Sequence, residues 1–184
     1  LDAKDYAKAE SRFAATVQTV PGFAPALRRL CLAKVELGQG AEAISLCRQA
    51  IDRSRDTANL IALSSALARA SARRSASQDE MSINESINLA KEAMSRESSS
   101  PRTLINFCYV AVLGHRVEAA RDCVRLSQEK LPIEMTASHQ VGLGWAIGGA
   151  DTFAHSTPEQ RAEATQLAQS AAKVRPADPA PHLL

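Results

Sequence analysis

Apolar side chains along this chain stand three and four residues apart, and they rarely form unbroken runs. Tyr6, Ala9 and Phe13 open the pattern, and Leu27, Leu30 and Leu37 carry it on. Such spacing puts the apolar residues on one side of an α-helix. Strand-length runs of valine, isoleucine and aromatics are few, which argues against a sheet. The breaks in the pattern predict nine helices, over roughly 2–19, 23–37, 40–54, 57–74, 79–97, 101–113, 115–130, 133–148 and 158–175.

Residues at the breaks fit helix ends. Ser100-Pro101 and Thr157-Pro158 place a hydroxyl before a first-turn proline. Thr157 with Gln160, and Ser82 with Glu85, have the spacing of a capping box. Gly38, Gly114 and Gly149 suit the left-handed residue that ends a helix. Arg69, Arg73 and Arg74 fall in the last turns of one helix, where cations meet the negative end of its dipole.

The pattern also repeats. Tyr6, Ala9, Phe13 and Pro21 have the spacing Y-x2-A-x3-F-x7-P. Ala43, Cys47 and Ala50 follow Ala9, Phe13 and Thr16 at one constant offset. Leu113-Gly114 returns after Leu37-Gly38, and Ala119 and Cys123 return after Ala43 and Cys47 at the same interval. Ala164, Ala168, Ala171 and Pro176 recur with the relative spacing of Ala9, Phe13, Thr16 and Pro21. Keeping this register requires two insertions, at Ser71–Ser82 and at Ala150–Thr157.

These residues resemble the tetratricopeptide repeat consensus. The resemblance runs along nearly the whole chain, but 58–99 lacks the glycine turn and has Ser86 where alanine is expected. It implies an all-α fold, a right-handed α-solenoid of antiparallel A and B helices. The expected organisation is a single domain, 1–184, with a lone B helix at 2–19. Repeats follow at about 23–54, 57–97, 101–130 and 133–175, with a short tail at 176–184. In the family, A helices line a concave groove. Carried over by position, the groove residues are Arg28, Leu32, Asn59, Arg69, Leu104, His139, Leu143 and Ile147. Arginine and asparagine suit a peptide backbone or carboxylate, and the apolar end suits apolar side chains. Trp145 takes a packing position between A and B helices. The lysine, asparagine and arginine set that grips a C-terminal carboxylate in some members is not reproduced, since Arg29 stands at an asparagine position.

Charge changes the picture only by exclusion. The chain has 22 Lys and Arg against 20 Asp and Glu, a net charge of +2. The signs are mixed, so no basic stripe suits a phosphate backbone, and nucleic acid is not expected as a partner. No stretch approaches the ~20 apolar residues of a membrane span, so direct membrane insertion is not expected. Cys31, Cys47, Cys108 and Cys123 lie far apart and form no Cys-x-x-Cys. They read as reduced, buried core residues, which favours a cytoplasmic location.

Candidate chemistry is sparse. There is no Gly-x-Ser-x-Gly, His-Glu-x-x-His, phosphate-binding glycine loop or EF-hand loop. His115, His139, His155 and His182 stand too far apart in sequence for a one-helix metal site. The sequence therefore predicts no enzyme activity, no cofactor and no metal. It predicts a scaffold that binds a peptide or partner protein, with acidic groups of the ligand near Arg28 and Arg69. The competing reading is a regulatory or oligomerisation domain of a larger enzyme, sensor or membrane protein that packs against its own chain. In that reading self-association runs through the first helix.

Overall fold

A computed structural model of the chain describes residues 3–72, 80–148, 156–174 and 176. Among the described residues there are nine helices and no strand. They are α1 (Ala3–Thr19), α2 (Ala24–Glu36), α3 (Gly40–Arg53), α4 (Thr57–Ala72), α5 (Glu80–Arg96), α6 (Pro101–Leu113), α7 (Val117–Lys130), α8 (Ile133–Gly148) and α9 (Pro158–Val174). Each predicted helix has its counterpart, and the ends differ by two residues or fewer. The chain divides into two compact units, Leu1–Ser98 and Ser99–Leu184.

In the first unit each helix packs on the next, from α1 to α5, and α2 also packs on α4. In the second, α6 to α9 pack in order and α6 also meets α8. Each unit is thus a run of helical hairpins whose alternate helices touch. A single hairpin cannot bury its apolar stripe alone, and stacking the next one closes the core. The first core holds Cys31, Val35, Cys47, Leu60, Leu63, Leu67 and Leu89. Smaller residues, among them Ala43, Ala62, Ala66 and Ala93, let the helices approach.

The described helices of the 58–99 segment, α4 and α5, pack on each other as the other neighbouring helices do. Ser86, where alanine is expected, is fully buried on α5, and its hydroxyl donates to the Ser64 carbonyl of α4 at 2.7 Å. The bond satisfies a polar group that would otherwise be costly to bury.

Helix ends confirm some expectations and correct others. Gly38 has φ +81, the left-handed conformation that ends α2. Gly114 does not: its φ is −85, and His115 takes the left-handed position at φ 49. Thr157 and Gln160 form the predicted capping box, with Thr157 N donating to Gln160 Oε1 at 2.8 Å and Gln160 N to Thr157 Oγ1 at 3.3 Å. Ser82 lies inside α5, which already begins at Glu80, so it does not hold the N-cap position. Ser100 is the N-cap of α6 by position, but its side chain makes no capping bond. Arg69 lies in the last turn of α4 as expected. Arg73, Arg74 and Gly149, most of both proposed insertions, and nearly all of the tail at 176–184 lie outside the described residues.

Candidate functional site

The eight predicted groove residues do not share one environment. Asn59 is fully buried, and Leu104, Leu143 and Ile147 are each 3% exposed. Those four belong to the core, so they offer a partner no surface, and the expected apolar end of the groove is corrected accordingly. Arg28, Leu32, Arg69 and His139 are half-buried.

Asn59 shows why a polar residue can face inward. It stands near the start of α4, beside the end of α3. Its side-chain amide donates to the carbonyls of Ser54 at 2.7 Å and Ala50 at 3.3 Å. Its carbonyl accepts from Arg28 Nη1 at 3.0 Å. The last carbonyls of a helix have no partner within the helix, and Asn59 supplies one for α3. Arg28 also lies 3.9 Å from Asp56, while Asp56 caps α4 by accepting from Asn59 N at 2.8 Å. Helix α2, the end of α3 and the start of α4 are thereby tied together.

Arg69 forms a second link between α4 and α2. Its guanidinium grips Glu36 of α2 with two parallel bonds, one from Nη2 to Oε2 at 3.0 Å. The two side chains are 32% and 28% exposed, so solvent reaches the pair. Beside them a cleft of ≈ 400 Å³ is lined by the polar Gln39, Glu42 and Arg69 together with Val35, Gly38, Gly40, Ala41, Ala66 and Ala70. Its walls are small because Gly40 packs against Ala70, where an added Cβ would come within 3.2 Å. Nearby, Lys34 donates to Glu10 at 2.8 Å and pairs with Glu42 at 2.7 Å. Those hydrogen bonds, Glu10 first, hold the ammonium pKa above its ordinary value.

The cysteines contradict the sequence reading. Cys31 and Cys47 form a disulfide between α2 and α3, and Cys108 and Cys123 form one between α6 and α7. Antiparallel packing brings the Cα atoms to 5.5 Å and 5.2 Å, inside the range a bridge requires. The separations of 16 and 15 residues looked too wide for a local motif, yet they are the distances across one helical hairpin. The inference of a cytoplasmic location from reduced thiols loses its premise.

His139, expected in the groove, instead turns toward the second bridge. Its Nδ1 is 2.7 Å from Ser127 Oγ of α7, and that hydroxyl lies 3.9 Å and 4.0 Å from the sulfurs of Cys108 and Cys123. Burial pushes the imidazole pKa below its ordinary value, which keeps the ring neutral. Sequence reasoning missed this cluster because its members come from three helices. Trp145 was expected between helices, but it is 38% exposed on α8.

Among the described residues no helix is long and apolar enough to cross a membrane. No curated protein matches the sequence. A family model described as tetratricopeptide repeat matches residues 1–69. That span covers α1 to α3 and most of α4, the helices that carry the Arg28–Asn59 and Arg69–Glu36 links. Over residues 1–69, then, the chain is similar to the tetratricopeptide repeat family.

Proposed function

We propose that the first unit binds an extended or helical segment of a partner protein along α2 and α4, with an acidic group of that segment at Arg69. The cleft beside Arg69 is the observation that supports this reading. It joins walls that are mostly small residues, with Glu42 held by Lys34, to a half-buried guanidinium whose present partner, Glu36, is a carboxylate on the protein itself. An incoming carboxylate would replace Glu36 with the same bidentate geometry. Arg28 and Leu32 extend the surface along α2, and Arg28 is the more constrained of the two arginines because it also holds Asn59. No catalytic role is proposed, in keeping with the family's general use as a scaffold. The two bridges support residence in an oxidising compartment rather than the cytoplasm.

A display library of random peptides tests the assignment. Peptides selected on the parent chain should be enriched in Asp and Glu. Arg69→Gln and Glu36→Gln both break the same ion pair, so any loss of fold stability is shared between them. Binding should fall at least tenfold in Arg69→Gln and hold or rise in Glu36→Gln. Equal loss in both variants, or selected peptides without acidic residues, would refute a carboxylate receptor at Arg69.

A further inference from the structure

The two cysteine pairs occupy matching places in their hairpins but have different neighbours. One helical turn after Cys47 comes Ile51, whereas one turn after Cys123 comes Ser127. Ala62 and His139 also correspond, since the interval from Cys31 to Ala62 equals that from Cys108 to His139. Ile51 and Ala62 share the apolar cluster that holds Cys31 and Cys47. In the second hairpin both positions are polar and joined to each other at 2.7 Å. A core that is closed with isoleucine and alanine in one unit is built with a hydroxyl and an imidazole in the other. Shape alone does not require that exchange, since burying polar groups has a cost that apolar packing avoids.

The exchange places two sulfurs and one imidazole nitrogen within 4.8 Å of one another. Among the described residues no third His, Cys, Asp or Glu joins Cys31 and Cys47 in this way. From this arrangement we infer that, in its dithiol form, the second unit has a binding site for a divalent metal of borderline softness, Zn2+ foremost. Cys108 of α6, Cys123 of α7 and His139 of α8 are its ligands. Two thiolates and an imidazole form a donor set that tetrahedral Zn2+ favours, with the fourth position left to water. Ser127 is a positioning residue: its bond to Nδ1 fixes the ring, as outer-shell partners of metal-bound histidines do.

The disulfide and the metal are alternative states of one pair. A chain leaves the ribosome with thiols, and metal binding releases their two protons. From the bridged state, a dithiol reductant gives two electrons and two protons to the Cys108–Cys123 bond and becomes a disulfide itself. The site then opens to metal. A disulfide oxidant reverses this: it takes two electrons from the two thiolates and two protons from water to become a dithiol, the Cys108–Cys123 bond re-forms, and the ion leaves. The Cys31–Cys47 pair, lacking the third donor, only opens and closes.

Titration of the full chain with Co2+ alone, as the optical probe, tests the site. The fully reduced chain should bind one equivalent and develop thiolate charge-transfer and tetrahedral d–d bands, which Zn2+ then erases. The oxidised chain should show neither band. Cys31→Ala/Cys47→Ala should keep both bands, and Ser127→Ala should weaken affinity by about tenfold. His139→Ala should weaken affinity at least as much and alter the d–d band, a change that lost stability alone would not produce. Zn2+ should also slow alkylation of Cys108 and Cys123 selectively over Cys31 and Cys47, which needs no variant and is read by mass spectrometry. Absence of bands and of protection, equal protection of both pairs, or unchanged spectra in His139→Ala would overturn the site.

Discussion

Reducing the Cys31–Cys47 and Cys108–Cys123 bridges removes two closed loops from the unfolded chain while leaving four buried sulfurs in the folded one. The bridges span 16 and 15 residues. In the chain-entropy account, closing a loop of that length removes enough unfolded-state freedom to stabilise the fold by about 3 kcal/mol. Both pairs are at most 1% exposed, so the thiols continue to fill the core and the effect falls mainly on the unfolded state. With a urea slope of about 2 kcal/mol/M, each bridge should move its unfolding midpoint by about 1.5 M. The assay is urea titration of oxidised and reduced chain, followed by far-ultraviolet ellipticity and by fluorescence. Trp145, the single tryptophan, lies on α8, so fluorescence reports on the second unit. Cys108→Ala/Cys123→Ala should therefore shift the fluorescence midpoint at least as far as reduction does, since it also leaves a cavity where the sulfurs stood. Stacked repeats need not unfold as one, so the two probes are fitted separately. Coincident midpoints with and without reductant would refute the reasoning. So would four free thiols titrated in the denatured, unreduced chain.

Two further outcomes follow from buried polar groups. Asn59→Ala should destabilise the chain by about 2–4 kcal/mol, measured by urea titration, because the Ser54 and Ala50 carbonyls and the Arg28 guanidinium lose a buried partner together; a loss below about 0.5 kcal/mol would show that Asn59 behaves as a surface residue. Burial lowers the His139 pKa in the folded chain, so the unfolded chain binds more protons. Stability of the oxidised, metal-free chain should be full above the ordinary histidine value of 6.5 and should fall as pH drops through it, levelling at the depressed folded value. NMR titration of the imidazole checks the sign, and a folded pKa above 6.5 would contradict it.

Helices were legible because their evidence is local. Spacing of apolar residues, Gly38 at a turn and Thr157 paired with Gln160 act within a few residues, and each recurs in the structure. Where two neighbours competed, the pattern erred. Gly114 seemed the natural left-handed residue, but the chain gives that conformation to His115. Asn59 failed for a different reason: family register placed a polar residue on the groove, and polarity alone cannot separate a solvated amide from one that satisfies the end of a neighbouring helix. Leu104, Leu143 and Ile147 erred in the opposite sense. Their positions suited a groove, but their side chains complete a core, as leucine and isoleucine most often do.

The cysteines and His139 lay beyond local reading because their meaning depends on which helices meet. Once the hairpin is known, a separation of 15 or 16 residues across it becomes a bridging distance rather than a scatter. Once α8 is known to pack on α6 and α7, a histidine two helices away from Cys108 in sequence becomes its neighbour. The internal repeat then acts as its own control. Two hairpins with matching bridges differ at Ile51 against Ser127 and at Ala62 against His139. A bridge alone requires neither the hydroxyl nor the ring, since Cys31–Cys47 is held among apolar side chains. The polar pair therefore adds something that bridging does not explain. Its chemistry is directed at the sulfurs themselves.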